Sequence, residues 1–166
     1  IPYTLKELTV TDSVLRSNTL QKVQLSVLNL GAGVTEIEEY AANKLGLNEL
    51  NFDENIKISN IPDESFTENK LTGIVIPKTV RKIGTAFGAN LLEEIVLNDG
   101  LEIIAGSFIS AKITSIDFPD SLIEIGDNSF KACVYLEAIE FPENLKKIGF
   151  CAFELNRQLR EVVFSN

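Results

Sequence analysis

The chain has 166 residues, 45% hydrophobic and 23% charged, with a net charge of −9. That charge opposes binding to phosphate backbones and anionic lipid, so nucleic acid is not an expected partner. No apolar run approaches a membrane span. The absence of histidine removes the usual general base, the Ser-His and Cys-His nucleophile pairs and the common zinc ligand.

Along the chain one phrase returns. Its first half is an L-x-x-I-x-I skeleton: Leu5/Leu8/Val10, Leu25/Leu28/Leu30, Leu47/Leu50/Phe52, Leu71/Ile74/Ile76, Leu92/Ile95/Leu97, Ile113/Ile116/Phe118, Leu136/Ile139/Phe141 and Leu159/Val162/Phe164. The starting residues are 20, 22, 24, 21, 21, 23 and 23 apart, which gives seven units and a truncated eighth. The second half carries an apolar residue four places after the strand (Val14, Val34, Ile56, Val80, Leu101, Leu122, Leu145). In most units a further apolar residue follows three places on (Ile37, Ile83, Ile104, Ile125, Ile148). A small residue and Phe close the unit at 65–66, 86–87, 107–108, 129–130 and 152–153. Nine of the ten phenylalanines occupy just two positions of this template, which chance does not explain. In the second unit the aromatic is Tyr40, and the first unit is the least faithful, as a terminal repeat would be.

The pattern resembles the BspA-like subclass of leucine-rich repeats, whose signature runs close to C/N-x-x-L-x-x-I-x-I-P-x-x-L-x-x-I-G-x-x-A-F. Pro77, Pro119 and Pro142 stand on its proline, and Gly84, Gly126 and Gly149 on its glycine. Asn69, Asn90, Cys133 and Asn156 stand on its Cys/Asn position, where Ala111 departs. The resemblance implies a repeat solenoid: a leucine-rich-repeat right-handed coil with one parallel β-sheet on the concave face, and short strands, turns or 3₁₀ segments on the convex side. It also implies a secreted or surface-displayed bacterial protein that adheres to host proteins or neighbouring cells. The chain reads as one array over residues 1–166, a piece of a longer protein, with signal and anchor elsewhere.

Elementary physics supports the same coil. Inward residues two apart share one strand face. Proline after the strand ends pairing. Glycine at 84, 126 and 149 is expected to permit a tight turn, with positive φ as one way. Phenylalanines are expected to stack from coil to coil, and Asn69, Asn90 and Asn156 to bond backbone groups left open by the turns.

Apolar template letters are thus core, and function belongs in the letters that vary. The outward column between the two inward strand residues reads Thr9, Asn29, Asn51, Val75, Val96, Asp117, Glu140, Val163. The column just before it reads Glu7, Val27, Glu49, Gly73, Glu94, Ser115, Ala138, Glu161. An apolar spot, Val75 and Val96, therefore adjoins an acidic one, Glu94, Asp117 and Glu140. With Asn51 these form the expected ligand-binding face, suited to a protein partner with a basic patch, such as a host extracellular-matrix or serum protein. The valines also fit any exposed strand.

Asp117 and Glu140 are expected side by side on adjacent strands, with Arg160 and Lys112 to relieve their repulsion. A carboxyl pair at that separation is what a retaining glycosidase needs, so a glycoside hydrolase is a remote alternative. A structural spacer in a larger surface protein is the nearer one. No catalytic residues, metal site or cofactor are assigned. The "GAG" at 31–33 reads as a structural turn and lacks the third glycine of a dinucleotide fingerprint. Acidic turns such as "NDG" lack EF-hand spacing and read as solvated. Cys133 reads as a core thiol, unpaired with Cys151.

Overall fold

The computed structural model describes residues 3–165 and shows a parallel β-solenoid of about seven turns, with no helix among them. The two N-terminal coils carry long strands, β1 (Tyr3–Leu15) and β2 (Val23–Ile37). Neither unit has a proline after its L-x-x-I-x-I core, so the continued ladder lacks no backbone donor there. Later coils divide their pairing between two faces. On the concave face stand β3 (Glu49–Phe52), β5 (Gly73–Val75), β7 (Glu94–Val96), β10 (Ala138–Phe141) and β12 (Glu161–Phe164). On the opposite side two-residue strands, β4 (Asn60–Ile61), β6 (Lys82–Ile83), β8 (Ile103–Ile104), β9 (Glu124–Ile125) and β11 (Lys147–Ile148), form a continuous five-stranded parallel sheet. All described pairings are parallel.

The concave sheet is not one sheet. It falls into β1–β2–β3, β5–β7 and β10–β12. Between β3 and β5 the ladder starts with Lys70 N–H to Leu47 C=O and goes no further. Gly73 opens β5, and a glycine there weakens the strand. Residues 113–118 form no strand at all, although Ile113 and Ile116 are as buried as the template demands. Burial of the inward side chains is thus kept where the ladder is lost.

Leu28, Leu47, Leu71, Ile83, Ile104, Ile125 and Leu136 are fully buried, and one apolar core runs through the coils. Phe66, Phe87, Phe108, Phe130 and Phe153 stack in a column, with ring centroids 5.4–5.8 Å apart. Tyr40 does not extend it. The N–H of Ala42 donates to Ser65 C=O, as the N–H of Phe66 does to Ala86 C=O, so Ala42 holds the phenylalanine position of the second coil. Tyr40 lies two residues early, at φ 57°, and is exposed. The ring of Phe52 instead meets Phe66 edge-on where the column ends.

The three template glycines do not act through positive φ. Positive-φ glycines are Gly46, Gly100 and Gly106, and the other left-handed corners are non-glycine residues such as Glu64, Ala89, Asn128 and Ala132. Gly84, Gly126 and Gly149 are needed because the preceding coil touches them. A Cβ on Gly84 would stand 2.8 Å from the Asp63 backbone nitrogen, and one on Gly126 would stand 3.1 Å from the Ala105 Cα. The "GAG" segment also departs from expectation. It lies inside β2, where Leu30 pairs with Val10 but Gly33 with Asp12, a bulge rather than a connecting turn.

Asn69 and Asn90 behave as expected. The Oδ1 of Asn69 accepts the N–H groups of Leu45, Gly46 and Leu47 at 2.9–3.1 Å, while its Nδ2 donates to Ala42, Phe66 and Thr67 carbonyls. Asn90 accepts from Leu71 N–H and donates to the Phe66 and Phe87 carbonyls. Asn156 departs: its buried amide has no hydrogen-bond partner.

Candidate functional site

The two outward columns lie where alternation puts them. Pairing sets Thr9 beside Asn29 and Asn29 beside Asn51, Val75 beside Val96, Glu140 beside Val163 and Gly73 beside Glu94. Over β1–β3 the face is a polar network. Asn29 Nδ2 donates to Glu7 Oε1 at 2.7 Å, and Asn51 Nδ2 donates to Asn29 Oδ1 at 2.9 Å and to Glu49 Oε1 at 2.8 Å.

Where the ladder between β3 and β5 stops, the face sinks into an open groove of about 890 Å³. Asn51, Val75 and Glu94 line it, so three of the six residues assigned from sequence share one depression. Val75 is 58% exposed, a large fraction for an aliphatic side chain. Glu49, Asp53 and Glu54 add carboxylates, with Lys78 as the cation among the lining residues. Gly73 and Asn98 are among the lining residues not singled out from sequence. Gly73 is the blank in the second outward column, visible there once the column is written out. Asn98 donates from Nδ2 to the Ile76 carbonyl, a contact no local pattern announces.

Val96 lies beside Val75 on β7 but is not among the groove's lining residues. Asp117 and Glu140 line a separate, shallow depression of about 140 Å³ with Phe118 and Ser165. They are brought together, but not as neighbours on paired strands, because residues 113–118 form no ladder to β10. Neither Arg160 nor Lys112 forms an ion pair with them, and Glu140 Oε1 instead accepts a hydrogen bond from Ser165 Oγ at 2.8 Å.

Cys133 is fully buried, donates from Sγ to the Phe108 carbonyl at 3.3 Å, and burial pushes its thiol up to about 12. Cys151 is also free. Among the described residues no group of three or more Cys, Asp or Glu is arranged to hold a metal ion, and no helix is long and apolar enough to cross a membrane.

These features define a leucine-rich-repeat coil with a variable concave face. The sequence matches the BspA type leucine rich repeat region in six copies, over residues 13–110 and 102–166, and the chain belongs to that family. Its fold is similar to that of a leucine-rich repeat protein from Bacteroides ovatus, with a TM-score of 0.80 at 21% identity. The likeness covers 93% of this chain and 41% of that one, so the chain spans less than half of that protein's length. A comparison with curated proteins gave no match.

Proposed function

We propose that the chain is a non-enzymatic protein-binding module of a secreted or cell-surface protein, adhering to host or neighbouring-cell proteins through its concave face. Solenoid repeats present extended concave surfaces for protein contacts. The observation that carries the reading is the groove at β3, β5 and β7, where an exposed valine lies among carboxylates that form no ion pair among the described residues. A groove of that size falls in the ordinary range of ligand sites, about 300–1,000 Å³. The depression holding Asp117 and Glu140 falls below it, which weighs against a sugar-cleaving site there.

The test is capture of extracellular-matrix and serum proteins by the intact chain, at low and physiological salt, beside an Asn51→Lys/Val75→Glu variant, both positions lining the groove. Binding that is lost in a variant with an unchanged far-UV spectrum supports the concave face. Equal binding by both chains, or none by either, removes it.

The spacer reading has its own support. Phe150 is 78% and Phe164 62% exposed on the last coil, and stacking against a further coil would cover such apolar surface. A spacer needs only solubility on its concave face, so it is the reading left standing if no binder is found.

A further inference from the structure

The concave face over the groove is a small lattice. One row runs Glu49, Gly73, Glu94 across β3, β5 and β7. The next row, two residues further along each strand, runs Asn51, Val75, Val96. Residues two apart on a strand share a face, so the rows lie side by side. The first row has a missing tooth. Gly73 offers no side chain, and a carboxylate stands on each flank, Glu49 on β3 and Glu94 on β7. The second row offers exposed apolar surface at Val75.

We infer that this notch receives one basic side chain, arginine or lysine, from an extended segment of a protein partner. This rests on the concave-face reading above and names the group that the face selects. The cationic head would sit over Gly73 between Glu49 and Glu94, and its aliphatic stem would lie along Val75. Three observations converge. Glu49, Glu94, Asp53 and Glu54 all line the groove, and none takes part in an ion pair of the described residues, so their field is uncompensated apart from Lys78. The space over Gly73 is real. A Cβ built there meets Glu94 Cβ at 3.8 Å, an ordinary contact, so no packing requires the glycine. Its φ is not positive, so the backbone does not require it either. Gly84 and Gly149, by contrast, leave no room for a Cβ. β3 and β5 remain packed side by side although unpaired, so the partner lies over the seam rather than inserting a strand.

The experiment titrates the ¹⁵N-labelled chain with Ac-Gly-Ser-Val-Arg-Val-Ser-Gly-NH₂ and with its lysine and citrulline counterparts. Citrulline keeps the shape of arginine without the charge. The arginine and lysine peptides should shift the amides of Glu49, Gly73, Val75 and Glu94, and the citrulline peptide should bind roughly tenfold more weakly. Two variants act separately. Gly73→Leu fills the notch, and Glu49→Gln/Glu94→Gln removes the charge at constant shape. Each should lower arginine-peptide binding to the citrulline level.

Equal binding of the arginine and citrulline peptides overturns the assignment. So does arginine-peptide binding that survives in both variants, or an absence of shifts at those four amides. If a captured protein is still lost in Asn51→Lys/Val75→Glu, only the notch falls and the concave face stands. If the peptide shifts appear while no protein is captured through that face, the notch stands and the adhesion reading falls.

Discussion

A Cβ placed on Gly149 would stand 2.4 Å from the backbone nitrogen of Asp127, one coil earlier. The obstacle is main chain, which cannot swing aside. Gly149→Ala should therefore destabilise the array by about 1–3 kcal/mol, the usual cost of overpacking. Gly73→Ala should gain up to about 1 kcal/mol, since a strand glycine carries only its entropy cost there. Urea titrations of the two variants give the comparison directly. A Gly149→Ala chain as stable as the parent would mean that the coils separate at little cost.

Phe108 lies mid-column, 5.8 Å from Phe87 and 5.4 Å from Phe130, and is fully buried. Phe108→Ala should cost about 3–5 kcal/mol. It should also let the two halves of the array unfold separately, because each coil relies on its neighbours. A second transition in calorimetry would show it. A single unchanged transition would mean that the column is not what couples the coils.

Glu38 accepts the backbone N–H of Ser17 at 2.8 Å and meets Arg16 at 3.2 Å, and together they hold its carboxyl below the usual value of 4.5. A carboxyl lowered on folding adds stability above its unfolded value, and that stability is lost as pH falls through its folded value. The Tm advantage of the parent over Glu38→Gln should therefore shrink as the pH drops below about 4.5. A difference that stays constant down to acid pH would deny the linkage.

The Cys133 thiol works in the opposite sense. Burial raises it from 9.0 to about 12, so its contribution is full below 9.0 and is lost as pH rises through about 12. In native protein at neutral pH a thiol reagent should label Cys151 first, and Cys133 only as fast as the coil opens. Equal labelling rates at the two positions would contradict the burial.

The fold was legible in the sequence because burial is written in side chains. The inward pairs, the phenylalanine column and the asparagine caps at 69 and 90 all follow from letters at fixed spacing. What was missed depends on main-chain contact between coils. The template glycines suggested turns, yet the turns are made by residues such as Ala89 and Asn128, while the glycines yield space to the preceding coil. Tyr40 looked like the aromatic of its unit because it is aromatic, but hydrogen bonding gives that place to Ala42. The breaks in the concave ladder could not be read either. Ile113 and Ile116 satisfy the pattern whether or not their backbone pairs. Outward alternation puts Asn51, Val75 and Glu94 on the concave face, whereas the groove they line arises from a ladder that stops, which no side-chain pattern records.

Each described ion pair joins residues 21 to 24 positions apart, from Arg81–Glu102 to Lys44–Glu68. Each strand likewise pairs only with the next coil on its own face. Among the described residues no ion pair or strand pairing spans the array from end to end. Tension applied along its axis would thus load the coils in series, and the array would yield as a ratchet, one loop at a time. A single coil of about 22 residues would release roughly 70–80 Å of chain. The same coil-by-coil architecture would then lengthen in steps under load instead of failing all at once.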